Sequence, residues 1–315
     1  MLIVYDPLYG DHLRGAGQIE SPDRVEVVAS RLRDEGHFGA PLAARDVTDL
    51  ELYRVHSHDY VELVKRECAQ RTGGASALST GDVVVDQASL AVARRAAGGA
   101  VVAIETAATT RKPVFALVRP PGHHAERSRG MGFCLFNNAA VAARAYRATF
   151  GGRVLIVDFD YHHGNGTQDV AGDGLSYVST HARPAYPGTG DGNVDVPDGV
   201  VVNVPLPASG VSTERFVATW ERLLPEIARV AKPDAIVVSA GFDYVKGDPV
   251  GDLGVGVEAA GHLAAAINAT ALECDAALAY VLEGGYDVDA LTDSIRQIVI
   301  ASDANVSRGS GARLD

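Results

Sequence analysis

The stretch that decides the fold is Arg153-Val-Leu-Ile-Val-Asp158-Phe-Asp160-Tyr-His162-His163-Gly-Asn165. Four apolar residues follow Arg153, three of them β-branched, and this predicts a central parallel strand covered on both faces. Asp158, Asp160 and His162 then alternate, so that an extended backbone points all three to one side. Two carboxylates and an imidazole at the carboxyl end of a strand predict a divalent-cation site. A strand that simply runs into a polar loop is the alternative.

The composition is that of a globular protein, with 47% hydrophobic and 22% charged residues in 315. The net charge of −12 argues against nucleic acid as a direct partner. No apolar run approaches the ~20 residues that span a bilayer, so no membrane association is expected. The start of the chain lacks a basic segment and predicts a strand, not a signal peptide. Three dispersed cysteines without a CxxC motif predict reduced thiols and a cytoplasmic location.

Predicted strands and helices alternate along most of the chain. This pattern is typical of right-handed βαβ units and predicts an α/β fold with three α/β/α layers around a mostly parallel central sheet. We expect a single domain over residues 1–301. Residues 302–315 contain almost no apolar side chains and are predicted to form a disordered C-terminal tail. The sequence leaves the oligomeric state open, a homo-oligomer included.

Four predicted strands end in polar groups: His123-His124, the Asp158 to His162 segment, Asp243 and Tyr286. Because the carboxyl ends of parallel strands meet at one rim of a sheet, we expect these groups to share one cleft. Each group alone has a structural interpretation. The two histidines could form a satisfied turn, Asp243 could cap a helix, and Tyr286 could pack beside a tight glycine turn.

The chain carries six motifs that occur in the same order in a known family: Arg119-Pro-Pro-Gly-His-His-Ala, Gly132-Phe-Cys-Leu-Phe-Asn-Asn, Asp158-Phe-Asp-Tyr-His-His-Gly-Asn-Gly-Thr, Tyr186-Pro-Gly-Thr-Gly-Asp, Ser239-Ala-Gly-Phe-Asp243 and Glu283-Gly-Gly-Tyr286. With them the chain resembles the histone deacetylase and acetylpolyamine amidohydrolase superfamily, in particular its class II-like branch. The resemblance extends from about residue 3 to residue 300. It implies the arginase/deacetylase-like fold, one catalytic zinc, and hydrolysis of an amide on an amine side chain.

The resemblance implies a ligand set for each of two cations. Asp160, His162 and Asp243 would hold Zn²⁺, and the same oxygen and nitrogen ligands also accept Fe²⁺. Asp158 and Ser179, together with backbone carbonyls, would hold a structural K⁺.

It also implies the catalytic roles. His124 would be the main general base and then the acid for the leaving amine, while His123 would orient water and stabilise charge. Tyr286 would donate a hydrogen bond to the developing oxyanion. Asp158 would accept a hydrogen bond from His123. Asn165 would pair with His124 where the class I branch has Asp, and an amide cannot stabilise imidazolium as a carboxylate would.

The family's acyl-lysine channel would be formed here by Gly132, the aromatic walls Phe133 and Tyr186, and Val250. Polyamine-specific members can carry a carboxylate at the position of Val250, which here cannot attract a second ammonium group. The predicted substrate is therefore acyl-lysine or another acylated monoamine. Asp82 is a candidate acceptor for the substrate backbone at the channel rim.

Other functions are kept open beside this one. An acetylpolyamine deacetylase is the closest alternative. A non-catalytic acyl-lysine binding protein would need a damaged site, and a binuclear manganese ureohydrolase would need more Asp and His ligands than the motifs provide. Arg24 matches a family arginine near an internal cavity behind the metal, or it is an ordinary arginine on a helix surface.

Overall fold

The computed structural model describes the backbone of residues 1–309 and the side chains of residues 1–304. Its strands are β1 (Leu2–Val4), β2 (Ser76–Ala77), β3 (Val84–Val85), β4 (Val114–Ala116), β5 (Val154–Asp158), β6 (Leu175–Arg183), β7 (Val201–Pro207), β8 (Ala235–Ala240) and β9 (Ala277–Leu282). Seven of them form one sheet in the order β1-β4-β9-β8-β5-β6-β7, with neighbouring strands parallel. Strands β2 and β3 form a separate antiparallel pair.

The helices are α1 (Asp23–Asp34), α2 (Asp49–Tyr53), α3 (His58–Ala69), α4 (Ser89–Thr110), α5 (Asn138–Phe150), α6 (Asn165–Asp169), α7 (Thr213–Ala231), α8 (Ala259–Glu273) and α9 (Val288–Gly309). Helix α4 packs on α5 and against strands β1, β4 and β9. Helices α7, α8, α9 and α1 pack on one another in that succession. The predicted three-layer α/β/α arrangement with a parallel central sheet is confirmed.

The centre of the sheet is buried on both faces, as the apolar runs predict. Every residue of β5, β8 and β9 is buried. In the register of the sheet, Asp158 at the end of β5 lies opposite Ser239 of β8 and Ser179 of β6. Polar groups therefore begin at the same level on adjacent strands, and this level lies beneath the site described below.

Helix ends follow the chemistry of their capping residues. Asn137 caps α5 by accepting a hydrogen bond from the Ala140 N–H, and Ser57 caps α3 in the same way. The short helix α2 begins with a capping box formed by Thr48 and Glu51. Among the described residues, no helix combines the length and the hydropathy needed to cross a membrane.

The C-terminal segment differs from the prediction of a disordered tail over residues 302–315. Helix α9 continues to Gly309. The side chain of Ser302 is fully buried, and its hydroxyl accepts a 3.0 Å hydrogen bond from the amide of Asn268 on α8. The first residue of the predicted tail is therefore packed against a neighbouring helix. The remaining predicted tail, residues 310–315, lies outside the described residues.

Candidate active site

Nine of the thirteen predicted site residues line a pocket of about 330 Å³ at the carboxyl ends of the central strands, and the other four, Asp158, Asn165, Ser179 and Asp243, are not part of its lining. Its lining combines carboxylates and imidazoles on the floor with aromatic and small residues on the walls: Asp82, Pro121, His123, His124, Gly132, Phe133, Asp160, His162, Tyr186, Val250, Gly284 and Tyr286. The four predicted channel residues, the two vicinal histidines and Tyr286 therefore face one space.

Asp160, His162 and Asp243 form a group that could hold a metal ion. One potential ligand atom from each residue lies within 4.8 Å of the others, and all three side chains are buried. The Nδ1 atom of His162 is 3.2 Å from Asp160 Oδ1 and 2.8 Å from Asp243 Oδ2. Among the side chains that the structure describes, no second group of three such ligands is found.

The surroundings of this group fit a divalent cation. The backbone N–H groups of His162 and Gly284 donate to the two oxygens of Asp160, and the Tyr161 N–H donates to Asp243 Oδ1. Asp243 Oδ2 is buried, and its 2.8 Å contact with His162 Nδ1 does not have the geometry of a hydrogen bond, so this oxygen has no hydrogen-bond donor. Burial and the nearby Asp160 carboxylate raise the pKa of Asp243. Two crowded carboxylates with one unsatisfied buried oxygen are an arrangement that a bound cation stabilises.

Asp158 does not belong to this group, although the alternation in the sequence placed it there. Strand β5 ends at Asp158, so the extended geometry on which the alternation depends does not continue to residue 162. The Oδ2 atom of Asp158 accepts hydrogen bonds from His123 Nδ1 and from the Tyr177 hydroxyl, both at 3.1 Å. Asp158 thus orients His123, in agreement with the position that the family resemblance implies.

The electrostatic environment of His123 favours its protonated form. Burial alone would lower the pKa of this imidazole, but the carboxylates of Asp160 and Asp158 outweigh burial and raise it to about 10. Two carboxylates within reach of one buried ring explain this direction.

His124 lies in the opposite electrostatic environment. Burial, together with the positive charges of His123 and His162, lowers the pKa of His124 well below its ordinary value. Its Nδ1 atom is 2.8 Å from Asn165 Oδ1, an atom that only accepts hydrogen bonds. The proton of the neutral ring is therefore on Nδ1, and Nε2 keeps a free lone pair.

The loop that carries Tyr286 is held by hydrogen bonds between its backbone and buried side chains. Its backbone N–H donates to Asp248 Oδ2 at 2.6 Å, and Gly285 before it has φ +114, a value that L side chains rarely adopt. Arg24 donates from Nε to the Gly285 carbonyl at 2.6 Å and from its second amino group to the Glu283 carbonyl. Because Arg24 is completely buried, the alternative of a helix-surface arginine is wrong.

The walls of the channel are linked at the rim. Asp82 accepts a 2.9 Å hydrogen bond from the Gly132 N–H and a 3.2 Å hydrogen bond from the Tyr186 hydroxyl. The Tyr186 ring stands perpendicular to the His124 ring, with centroids 5.1 Å apart. The Phe133 ring lies 5.7 Å from the ring of Tyr286. Gly132 has φ +54 and contacts the His124 ring so closely that a side chain there would collide with it.

Ser179 lies beside Asp158 on the neighbouring strand, and its hydroxyl is 2.9 Å from His181 Nδ1. Ser179 is not among the residues that line the pocket, and it lies in the layer beneath it with Asp158.

The sequence analysis assigned no role to several charged residues around the site. Glu283, Glu20 and Arg119 are fully or almost fully buried, and each makes hydrogen bonds to distant segments. Arg119 donates to Glu20 Oε1 at 2.8 Å, and the same oxygen accepts a 2.8 Å hydrogen bond from Arg24. The only signal in the sequence is that Arg119 and Glu283 belong to the quoted motifs, which does not specify their partners.

Comparisons with known proteins agree on one family. The family model described as "Histone deacetylase domain" matches residues 18–301. The chain is 35% identical over 292 residues to "Histone deacetylase 15" of Arabidopsis thaliana, with 89% of this chain and 52% of the relative covered. It is 34% identical over 294 residues to "Polyamine deacetylase HDAC10" of Homo sapiens, covering 88% of this chain and 44% of that one. The chain thus spans about half the length of these relatives, or less.

A solved structure has the same fold. It is described as "Crystal Structure of HDA15 HD domain" and superimposes with a TM-score of 0.86 at 33% identity. The superposition covers 96% of this chain and 88% of that one.

Proposed function

The chain belongs to the histone deacetylase family, and we propose that it is a zinc-dependent amidohydrolase that removes an acetyl or other acyl group from an amine side chain, most readily from acyl-lysine. One observation carries the proposal. The Asp160, His162 and Asp243 group, the vicinal histidines and Tyr286 line or underlie a single pocket, so the groups that amide hydrolysis needs are in reach of one substrate atom.

Asp160, His162 and Asp243 would hold the metal, for which we propose Zn²⁺, with Fe²⁺ as an ion that the same ligands accept. When bound, the ion supplies a Lewis acid that polarises the acyl carbonyl and makes water acidic. Asp243 Oδ2 is buried and has no hydrogen-bond donor, and this observation supports the assignment.

We propose that His124 moves the proton during hydrolysis. Its neutral ring presents Nε2 as the basic nitrogen, because Nδ1 is engaged with Asn165. His124 would accept the proton of the attacking water at Nε2 and would return it to the departing amine. His123, which Asp158 holds, would orient that water and stabilise negative charge on the acyl carbon's oxygen.

Tyr286 would donate its hydroxyl proton in a hydrogen bond to the substrate oxygen as that oxygen becomes negative. Its pKa is raised well above the ordinary value, by burial first of all, so the hydroxyl stays protonated and available as a donor. Arg24 and Asp248 would support this role by holding the backbone on both sides of the ring.

The channel supports an acyl-lysine in preference to an acylated polyamine. Phe133 and Tyr186 provide apolar walls for a flexible methylene chain, and Val250 at the rim offers no charge to a second ammonium group. Asp82 is the rim carboxylate, and hydrogen bonds from the Gly132 N–H and the Tyr186 hydroxyl hold it against the channel walls. Because the human relative is named a polyamine deacetylase, acylated polyamines are tested as the alternative substrate.

Two further assignments complete the proposal. Asp158 and Ser179, which are neighbours across β5 and β6, would contribute to a structural K⁺ site. A cytoplasmic location would suit the three free cysteines.

The experiment is a comparison of hydrolysis rates with zinc-loaded protein on an acetyl-lysine fluorogenic peptide and on N-acetylputrescine. We expect turnover of the peptide that a chelator abolishes and zinc restores. Faster turnover of N-acetylputrescine would assign the polyamine function instead. Binding of the peptide without turnover by fully zinc-loaded protein would identify an acyl-lysine binding protein.

A further inference from the structure

A chain of hydrogen bonds runs from His124 toward the protein surface. Asn165 Oδ1 accepts from His124 Nδ1 at 2.8 Å, and Asn165 Nδ2 donates to Glu126 Oε1 at 2.7 Å. The ring of His124 and the amide of Asn165 are buried, whereas Glu126 is partly exposed. A carboxylate thus stands behind the amide, one hydrogen bond further from the imidazole than a directly paired carboxylate would be.

The structure fixes Glu126 in this place through its backbone. The Glu126 N–H donates to the Arg129 carbonyl at 2.9 Å. Its carbonyl oxygen is 2.9 Å from His56 Nδ1, and the other ring nitrogen of His56 accepts the Asn137 N–H at 3.0 Å. His56 must therefore carry its proton on Nδ1 and donate it to Glu126. The carboxylate itself is contacted on its other oxygen by the Arg129 guanidinium at 3.2 Å.

The orientation of the Asn165 amide depends on Glu126. The other acceptors near Nδ2 are the His124 carbonyl, at a long 3.4 Å, and Met131 Sδ at 3.3 Å, which as a thioether is a weak acceptor. A flipped amide would present its NH₂ group to His124 Nδ1. The ring would then have to move its proton to Nε2, and no lone pair would face the substrate.

We propose that Glu126 is a positioning residue that holds Asn165 in the orientation in which His124 can act as a base. The expected effect of Glu126 on turnover rests on the proposed function, whereas its expected effect on the tautomer of His124 does not. Glu126 touches neither the substrate nor the reacting atoms, and it acts only through the amide of Asn165.

The first test compares Glu126→Ala, Glu126→Gln and the exposed loop control Arg127→Ala in the zinc-loaded protein. We expect Glu126→Ala to lower kcat on the acetyl-lysine peptide about tenfold with KM unchanged, the rate equivalent of one hydrogen bond to a charged group. Glu126→Gln keeps a side-chain acceptor and should recover most of this loss. Arg127→Ala should match the wild type. A kcat of Glu126→Ala within twofold of wild type would overturn the proposal.

The second test uses a background in which the expected effect of Glu126→Ala on kcat has the opposite sign. In an Asn165→Asp background the new carboxylate would face Glu126, and the two negative charges would repel. Glu126→Ala should therefore raise kcat in the Asn165→Asp background while it lowers kcat in the wild type. A residue that merely stabilises the loop would lower kcat in both backgrounds, and that result would contradict the inference.

The third test does not depend on turnover. Nitrogen-15 NMR of the labelled imidazoles distinguishes a protonated from an unprotonated Nδ1 at His124. We expect one Nδ1–H form in the wild type and a mixture of tautomers in Glu126→Ala. If the wild type proved inactive, the proposed function would fail while this measurement would still decide the role of Glu126. An unchanged single tautomer in Glu126→Ala would overturn it, and Glu126→Leu, which also removes the acceptor, serves where the alanine variant does not fold.

Discussion

The side chain of Glu283 accepts a 3.0 Å hydrogen bond from the backbone N–H of His123. The same oxygen accepts from the Gly122 N–H at 2.6 Å, and the other oxygen accepts from the Ser239 hydroxyl at 3.2 Å. Glu283 immediately precedes the loop of Tyr286. One buried carboxylate therefore joins the segment that carries the vicinal histidines to the segment that carries the tyrosine.

Removal of this carboxylate should cost both stability and activity. In Glu283→Ala two buried N–H groups lose their acceptor, and we expect a loss of roughly 2 to 4 kcal/mol in the free energy of unfolding. We expect kcat to fall as well, because the histidine segment loses its tie to the Tyr286 loop. Urea unfolding and steady-state kinetics measure the two effects. Ser239→Ala is the matched control and should cost less than about 1.5 kcal/mol.

Tyr286→Phe should separate the hydroxyl from the rest of the ring. We expect amide turnover to fall by about 10² to 10³, the usual effect of losing one oxyanion donor, with zinc still bound. The ring would keep its contacts with Phe133 and Arg24. Tyr146→Phe, whose hydroxyl bonds the Asp234 carbonyl far from the pocket, is the control. Wild-type turnover in Tyr286→Phe would remove the oxyanion role.

Val250→Glu tests the basis of substrate choice. A carboxylate at this rim position should attract the second ammonium of an acylated polyamine and raise kcat/KM for N-acetylputrescine up to about fivefold, since a partly exposed ion pair contributes at most about 1 kcal/mol. The isosteric control Val250→Thr should leave the ratio of polyamine to peptide rates unchanged. An equal ratio in Val250→Glu and Val250→Thr would show that this position does not select the substrate.

The buried His56 should make the fold sensitive to acid. Burial lowers its pKa from 6.5 to about 4. The pKa of His56 is lower in the folded protein than in the unfolded chain, so protonation below pH 6.5 favours unfolding. The free energy of unfolding should therefore be highest above pH 6.5 and fall as the pH decreases from 6.5 toward 4. The shift corresponds to about 3 kcal/mol. In His56→Gln the number of protons taken up on unfolding between pH 6.5 and 4 should fall by about one. This number follows from the slope of the unfolding free energy, measured by urea unfolding, against pH. An identical pH dependence in both proteins would contradict this.

Much of the fold follows from local patterns in the sequence. The apolar runs at 154–157, 235–238 and 277–282 are strands because only a two-sided parallel sheet buries every residue of such a run. Helix starts were predictable where a capping residue is present, as at Asn137. Helix α2 could also have been predicted from its capping box at Thr48 and Glu51. The burial of Ser302 in α9 could not be predicted in this way, since it involves a contact with α8.

The site was predictable in its composition but not in its connections. Polar residues at strand ends predicted that Asp243 and Tyr286 would join the pair of Asp160 and His162. The alternation rule assigned Asp158 to the wrong layer because it assumes an extended backbone beyond the end of β5. The tie from Glu283 to His123 spans 160 residues along the chain, and a local pattern carries no information on it. Such contacts follow only from the complete packing.

The most direct test of the account is the zinc content of purified protein, measured by mass spectrometry together with hydrolysis of the acetyl-lysine peptide. We predict one zinc per chain in the wild type and in the exposed control Asp195→Ala. Asp243→Ala should have neither zinc nor turnover. Unchanged zinc in Asp243→Ala, or peptide turnover by protein freed of metal, would contradict the claim that Asp160, His162 and Asp243 form the catalytic metal site.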